Sequence, residues 1–150
     1  KEPPMDKIDK QILNILQTNA RASLKEIGEA TFLSSPAISA RIAQLERNGI
    51  ITDYGAHVNL QALGYNIKAF INLEVDPKQK PVFYPFVQGI PNVLECNCVT
   101  GEFSMLLKVA FPTTKELDTF IGELQQFGKT YTQIVFSTSV GPRGIHFEDQ

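Results

Sequence analysis

The stretch that decides the fold runs from residue 34 to residue 49 and reads SSPAISARIAQLERNG. Pro36 fits the first turn of a helix, because the N–H that proline lacks has no helical partner there, and either Ser34 or Ser35 can cap that turn. The apolar positions that follow at helical spacing are Ile38, Ile42 and Leu45. Asn48-Gly49 is a typical left-handed stop signal. The stretch therefore predicts a helix with one buried side.

Two shorter helical patterns precede this helix. Asp6 fits an N-cap, and the apolar positions after it predict a first helix over residues 7–18. Ser23 and Glu26 have the spacing of a capping box that opens a short second helix. The inward positions predicted for the second helix are Leu24, Ile27 and Ala30. Residues 31–33 are predicted as a turn anchored by apolar side chains, so the three helices form a helix-turn-helix.

From residue 66 the pattern changes to strands and helices of a second domain. Strands are predicted over residues 67–75, 93–100, 103–111 and 131–140, and helices over 81–87 and from 113 to a stop at Gly128. The order strand, helix, strand, strand, helix, strand is that of a ferredoxin-like βαββαβ unit. The chain is therefore predicted to be an α+β protein.

The predicted domain boundaries follow from these patterns. Residues 50–58 place apolar side chains beside a turn signal, as expected of a small wing, so residues 1–58 are assigned to a winged helix-turn-helix DNA-binding domain. Residues 59–65 are assigned to a linker. Residues 66–150 are assigned to the ferredoxin-like domain.

Composition and charge exclude several other classes of protein. Hydrophobic residues make up 43% and charged residues 20% of the chain, which is ordinary for a globular protein. No apolar run reaches the roughly 18 residues that span a bilayer, and the first residues lack the apolar core of a signal peptide, so no membrane partner and a cytoplasmic location are expected. The net charge of −2 neither requires nor excludes a DNA partner.

The cysteines and histidines give no metal-binding spacing. Cys96 and Cys98 would share one face of a strand, which is poor geometry for a disulfide and no zinc motif, so packed free thiols are expected, with a redox sensor as the alternative. His57 and His146 have no partner at ligand spacing. We expect no metal site and no cofactor.

The outer face of the helix at residues 35–47 is the first candidate site. A helix that reads a major groove needs small residues for close approach, hydrogen-bonding side chains for base edges, and cations for phosphates. The candidate DNA-binding residues are Ser35, Pro36, Ser39, Ala40, Arg41, Ala43, Gln44 and Arg47. An ordinary solvated helix face has the same composition, and these residues alone do not decide between the two. Two roles also fit Arg41, a phosphate contact or an ion pair with Glu46 or Asp9.

A family resemblance adds to this interpretation. Residues 5–13, 19–23, 34–42, 45–51 and 99–109 together resemble the Lrp/AsnC family, the leucine-responsive and asparagine-responsive regulators that are also called feast/famine proteins. The resemblance implies a winged helix-turn-helix, a hinge strand, and a βαββαβ sensing domain that pairs into dimers and often into octamers. It also implies double-stranded DNA as a partner.

The resemblance implies a second candidate site at the hairpin between the second and third strands. In the family this region lines an amino-acid pocket between subunits, and here it comprises Thr100, Gly101, Glu102, Phe103 and Ser104. Backbone N–H groups can hold a carboxylate there and an acidic side chain can hold an ammonium group. Family members often carry aspartate where Ser104 stands, so the resemblance implies a weak response to the family's usual amino acids here. A plain hairpin turn is the alternative.

These observations lead to one functional hypothesis and two rivals. We expect a sequence-preferring DNA-binding transcription regulator, modulated by an amino acid or related metabolite bound between subunits. The phenylalanines of the second domain favour a buried interface and hence a homodimer, which we expect to assemble to an octamer. The first rival is an architectural protein that wraps DNA with little sequence preference and no effector. The second is an enzyme, which is disfavoured because the sequence shows no nucleophile–base pair, metal set or phosphate loop.

Overall fold

The computed structural model describes residues 5–148, and these residues form two compact units. The first unit contains residues 5–57 together with residues 140–148, and the second contains residues 58–139. The last part of the chain therefore groups with the first unit, whereas the sequence assigned it to the second domain. The physical reason is a set of hydrogen bonds between residues 145–147 and the first helix.

Three helices form the first unit: α1 (Lys7–Thr18), α2 (Leu24–Thr31) and α3 (Ser35–Arg47). Each begins at a side-chain cap, because the first N–H groups of a helix have no partner within it. The capping side chains are Asp6, Ser23 and Ser34, which accept from the third helical N–H in each case. The sequence had predicted these three helices and their starts.

The core of the first unit is made by one face of each helix. Its buried side chains are Ile12, Leu13, Ile27, Ile38 and Leu45. Two inward positions predicted for α2 are wrong, because Leu24 is 39% exposed and Ala30 is exposed. The buried residues of α2 are instead Ile27, Gly28 and Thr31.

The turn between α2 and α3 is held by close backbone contact. A Cβ at Gly28 would lie 2.5 Å from the carbonyl oxygen of Leu33, so only glycine allows this approach. Leu33 packs against the core, but Phe32 is 94% exposed and has a left-handed backbone with φ 61°. The prediction that apolar side chains anchor the turn is therefore wrong for Phe32, whose side chain points to solvent.

The segment predicted as a wing has no paired strands. Residues 50–58, all of which the structure describes, contain no helix or strand. The N–H groups of Ile50 and Ile51 both donate to the carbonyl of Leu45, at 3.0 and 3.2 Å, so these residues close the end of α3 and pack on the core. Residues 59–65, predicted as a linker, contain a short 3-10 turn at Gln61–Leu63 and belong to the second unit.

The second unit alternates four strands with two helices, as the sequence predicted. Its elements are β1 (Ile67–Leu73), α4 (Lys80–Gln88), β2 (Val93–Cys98), β3 (Met105–Phe111), α5 (Thr114–Leu124) and β4 (Thr130–Ile134). The antiparallel sheet has the order β2-β3-β1-β4, which is the ferredoxin-like arrangement. β4 is shorter than the predicted strand over residues 131–140, and its paired partners on β1 end at Ala69.

The sheet buries one face against α4 and α5. Along β1, Ala69, Ile71 and Leu73 are fully buried, while Lys68, Phe70 and Asn72 lie on the opposite face and stay half-buried. This alternation has the period of two that strands require. Leu73, the last residue of β1, pairs with Met105, the first residue of β3. The hairpin after β2 and the loop before α4 therefore lie at the same end of the sheet.

Candidate nucleic-acid interface and effector hairpin

The side of α3 that turns away from the core is open to solvent. Ser39, Ala40, Gln44 and Arg47 are exposed along it, with Pro36 at its start. The other predicted members of this face, Ser35, Arg41 and Ala43, are half-buried at its edges. The structure therefore places all eight predicted residues on one helix, and five of them are exposed. Small side chains at its N-terminal half leave room for close approach to a groove.

Gln44 is the exposed side chain best suited to reading a base. Its carbonyl accepts from Arg47 Nη2 at 2.7 Å, and its amide donates to Asn48 Oδ1 at 3.0 Å. A glutamine amide presents one acceptor and one donor side by side, which is the pattern that matches adenine in the major groove. Because these bonds are exposed, exchanging them for bonds to a base costs little free energy.

Arg41 is held by two carboxylates. Its Nη1 lies 2.7 Å from Asp6 Oδ2 and 3.2 Å from Asp9 Oδ1. The hydrogen bond from Arg41 lowers the pKa of Asp6, and the backbone N–H of Asp9 lowers it further. The same bond raises the pKa of Arg41. Of the two roles that fitted Arg41, the structure shows the ion pair, with Asp9 as anticipated and Asp6 in addition.

The other anticipated partner of Arg41, Glu46, is engaged elsewhere. Tyr54 Oη donates to Glu46 Oε1 at 3.0 Å. Burial raises the pKa of the Tyr54 phenol, and the hydrogen bond and charge of Glu46 raise it further. The contact ties the end of α3 to the irregular segment that follows it. Sequence reasoning missed Asp6 as a partner of Arg41, although its role as an N-cap was visible.

The hairpin at residues 100–104 is shaped by its backbone. The N–H of Val99 donates to the carbonyl of Ser104 at 2.8 Å and closes the turn. Gly101 has φ 110°, which side chains with a Cβ rarely adopt. Thr100, Gly101 and Glu102 are exposed and Phe103 is half-buried, so the tip of the hairpin is accessible.

Ser104 is occupied by the neighbouring backbone. Its hydroxyl accepts from the N–H of Val75 at 3.0 Å and donates to the carbonyl of Val75 at 3.3 Å. Both hydrogen-bonding functions of the side chain are therefore used to hold the end of β1 beside the hairpin. This explains a serine at this position by structure alone.

Glu102 and Phe103 have weaker contacts. The carboxylate of Glu102 lies 4.0 Å from Lys129 Nζ, and both side chains are about 70% exposed, so this pair contributes little to stability. The ring of Phe103 lies 6.4 Å from the ring of Tyr131, centroid to centroid. The hairpin thus carries an exposed, weakly paired carboxylate and an aromatic pair, which are groups that an ammonium ion can use.

The two cysteines differ in environment. Cys96 is half-buried and Cys98 is exposed, with Lys80 Nζ 3.9 Å from its sulfur, so the expectation that both are packed is wrong for Cys98. Burial raises the pKa of the Cys96 thiol, and the charge of Cys98 adds to this. Within residues 5–148, no group of three or more His, Cys, Asp or Glu side chains could hold a metal ion.

A helix-turn-helix unit with an exposed third helix, followed by a ferredoxin-like unit, is an architecture that suits a DNA-binding regulator, and comparison with known proteins decides the function. Residues 5–46 match the AsnC-type helix-turn-helix domain and residues 68–145 match the Lrp/AsnC ligand binding domain. The chain belongs to the Lrp/AsnC family of transcription regulators.

Individual relatives agree with this family. The chain is 36% identical to the uncharacterized HTH-type transcriptional regulator YezC of Bacillus subtilis (strain 168), over 90% of this chain and 96% of that protein. The solved structure of LrpC from B. subtilis superposes with a TM-score of 0.88 at 27% identity, covering 93% of this chain and 100% of that one. The feast or famine regulatory protein Rv3291c of M. tuberculosis, complexed with L-methionine, gives a TM-score of 0.86 at 27% identity, covering 95% and 99%.

These relatives are named as regulators rather than as enzymes, and the chain is a helix-turn-helix transcription regulator with a ligand-binding domain. No helix among residues 5–148 has both the length and the apolar character needed to cross a membrane.

Proposed function

We propose that this regulator places α3 in the major groove of a preferred DNA sequence and that an amino acid or related metabolite modulates the binding. The observation that carries the proposal is the accessible face of α3, where Ser39 and Gln44 supply hydrogen-bonding groups and Arg47 supplies a cation. Among the described residues, Arg47 is the cation of this α3 face that has no ion pair with a carboxylate. We therefore assign base contacts to Ser39 and Gln44 and a phosphate contact to Arg47.

The hairpin at residues 100–104 is the proposed effector site. Its accessible tip offers backbone N–H groups for a carboxylate and Glu102 for an ammonium group. The similar M. tuberculosis protein is complexed with L-methionine, which supports an amino acid as the class of ligand. Position 104 carries a serine whose hydroxyl is engaged by Val75, so we assign the ammonium contact to the exposed carboxylate of Glu102, which would exchange its contact with Lys129 for the ligand.

We further propose that the protein is a homodimer that assembles to an octamer. The sheet face opposite α4 and α5 carries Phe70, Leu106 and Tyr131, which the fold of a single chain leaves partly accessible. A second copy covering this face would bury them. A twofold dimer presents two α3 helices, so the preferred DNA site is expected to be pseudo-palindromic. Light scattering at micromolar concentration tests this, and a stable monomer would contradict it.

Affinity for the protein's own promoter should be compared with affinity for random DNA of equal length at one salt concentration. We expect a clear preference for the promoter, and alanine at Ser39, Gln44 and Arg47 together should abolish it. Lys115→Ala is the matched control, since it removes an exposed cation of α5 in the second unit. Equal affinity for both DNAs would instead support the architectural function, and unchanged binding of the triple variant would refute the assignment of α3.

A further inference from the structure

The C-terminal segment is bound to α1 by side-chain amides. Asn14 Nδ2 donates to the carbonyl of Phe147 at 2.8 Å, and Asn14 Oδ1 accepts from the N–H of Phe147 at 2.8 Å. One asparagine thus satisfies both backbone groups of one residue, as a neighbouring β-strand would. Gln17, one turn further along α1, donates from Nε2 to the carbonyl of Ile145 at 2.9 Å.

Shape and packing complete this contact. Phe147 packs against the core of the first unit, while Ile145 and His146 are exposed. Gly144 passes beside the side chain of Gln17, whose amide would have to move if a Cβ were added there. Phe147 also lines a cavity of about 510 Å³ together with residues of α1 and of the segment at 50–57. The segment is therefore held by hydrogen bonds and by an aromatic anchor.

The contact connects the helix-turn-helix domain to residues that follow the ligand-binding domain in the chain. Phe147 lies beyond residue 145, where the match to the ligand-binding domain ends, whereas Asn14 and Gln17 lie within the matched helix-turn-helix domain. The chain passes from the first unit to the second after residue 57 and returns after residue 139. The second unit is therefore covalently connected to the first at both of its ends.

We propose that the face of α1 formed by Asn14 and Gln17 is a docking surface for residues 145–147 of this chain, and that docking holds α1 in the arrangement that the DNA-binding unit requires. Residues 135–144 connect this segment to β4, whose Tyr131 ring neighbours Phe103 of the candidate effector hairpin. A change at that hairpin can thus reach α1 through the covalent chain. Only this last step, and the effect on DNA, rest on the proposed function.

Hydrogen exchange of the full-length protein tests the docking directly. Asn14→Ala and Phe147→Ala should each speed the exchange of amides in α1 by roughly tenfold, because each removes part of what opposes local opening. Asn14→Asp keeps the acceptor and loses the donor, so it should have an intermediate effect. His146→Ala is the matched control, since its side chain is exposed between the two docked residues, and it should exchange as the wild type does. Wild-type exchange in both Asn14→Ala and Phe147→Ala would overturn the proposal.

A peptide in trans provides a second measurement. A synthetic peptide of residues 140–150, added to the Phe147→Ala variant, should restore slow exchange of α1 with saturation, and the same peptide carrying Phe147→Ala should not. Equal action of both peptides would contradict specific docking.

Promoter binding completes the test. Phe147→Ala should weaken promoter binding several-fold without changing its salt dependence, because no phosphate contact is lost. If the wild type bound no DNA, the proposed function would fail, while the exchange measurements would still decide the docking.

Discussion

Asp6 both caps α1 and binds Arg41 of α3. Its carboxylate accepts the N–H of Asp9 at 2.9 Å and lies 2.7 Å from Arg41 Nη1. One side chain therefore fixes the start of the first helix and ties it to the middle of the third. The orientation of the exposed face of α3 relative to the rest of the unit depends in part on this carboxylate.

Replacing Asp6 by asparagine should separate these two roles. Asparagine keeps an oxygen for the cap and loses the charge that pairs with Arg41, so a loss of about 0.5–1 kcal/mol in the free energy of unfolding is expected at pH 7. Since the pKa of Asp6 is lowered in the folded state, its ionic contribution is complete above the unfolded pKa, which is about 4. The contribution disappears as the pH falls through the folded pKa. Urea unfolding at several pH values measures both effects.

Two further observations control this prediction. Asp6→Ala should lose about 1 kcal/mol more than Asp6→Asn, since the cap is also removed. A difference between wild type and Asp6→Asn that stayed constant from neutral to acid pH would show that charge is not the cause.

Arg47 and Arg41 should differ in their effect on DNA binding. Arg47→Ala should reduce the slope of log affinity against log salt by about 1, as expected for one lost phosphate contact. Arg41→Ala should leave this slope nearly unchanged, because Asp6 and Asp9 already neutralise the guanidinium. Affinity titrations at four or more salt concentrations distinguish the two. A salt slope reduced equally in both variants would mean that Arg41 also contacts a phosphate.

Phe32 offers a stabilising substitution. Its left-handed backbone costs about 1–2 kcal/mol for a residue with a Cβ, and its exposed ring returns little packing energy. Phe32→Gly should relieve this strain, although glycine also increases the conformational entropy of the unfolded chain. The net result should be a free energy of unfolding that is higher by about 0.5–1 kcal/mol. Phe32→Ala removes the ring and keeps the strain, so it should show no such gain. Stability measured by urea unfolding would contradict this interpretation if both variants behaved alike.

The helix starts and the sheet order could be predicted because their signals are local. Ser34 and Pro36 mark the start of α3 within the sequence itself, and the order of strands and helices allows one common topology. The exposure of Phe32 could not be predicted, since it depends on how closely Gly28 approaches the turn. The contact of Phe147 with Asn14 joins residues 133 positions apart, which no local pattern reveals.

The candidate DNA interface was predictable for the same reason as the helix. Periodicity alone places Gln44 and Arg47 opposite the buried face of α3. The partners of Arg41 and Ser104 were not predictable from the sequence, because Asp6 and Val75 contact them only through tertiary packing. The sequence showed which side chains have the chemistry for a binding site. It did not show which of them are already engaged by other residues of the folded chain.

The cysteines should react at different rates. Cys98 is exposed, whereas Cys96 is half-buried and burial raises its pKa, so less of it is thiolate at a given pH. Iodoacetamide near pH 8 should therefore label Cys98 several-fold faster, and the difference should narrow as the pH rises through the pKa of Cys96. Mass spectrometry of Cys96→Ser and Cys98→Ser variants measures each rate alone. Faster labelling of Cys96 would contradict the burial that the structure shows.

Ser104→Asp gives the sharpest test of the hairpin. From the sequence, an aspartate here is expected to supply the carboxylate that family members often carry and to strengthen amino-acid binding. The structure predicts a different outcome, because the Ser104 hydroxyl donates to the carbonyl of Val75 and an ionised carboxylate cannot. The substitution would leave that carbonyl facing a negative charge, and we expect a loss of about 1–3 kcal/mol in stability.

Two variants at the same position decide between these expectations. Ser104→Thr keeps a hydroxyl and should retain most of the stability, whereas Ser104→Ala should lose about 1–2 kcal/mol, since both bonds to Val75 disappear. Calorimetry with L-methionine and other amino acids should show no gain in affinity for Ser104→Asp over the wild type. Glu102→Gln should weaken any binding that the wild type has, since Glu102 is the acidic group of the hairpin and, among the described residues, is paired only through its exposed contact with Lys129. Tighter binding by a stable Ser104→Asp protein would show that the aspartate turns toward the ligand and that the Val75 contact is dispensable.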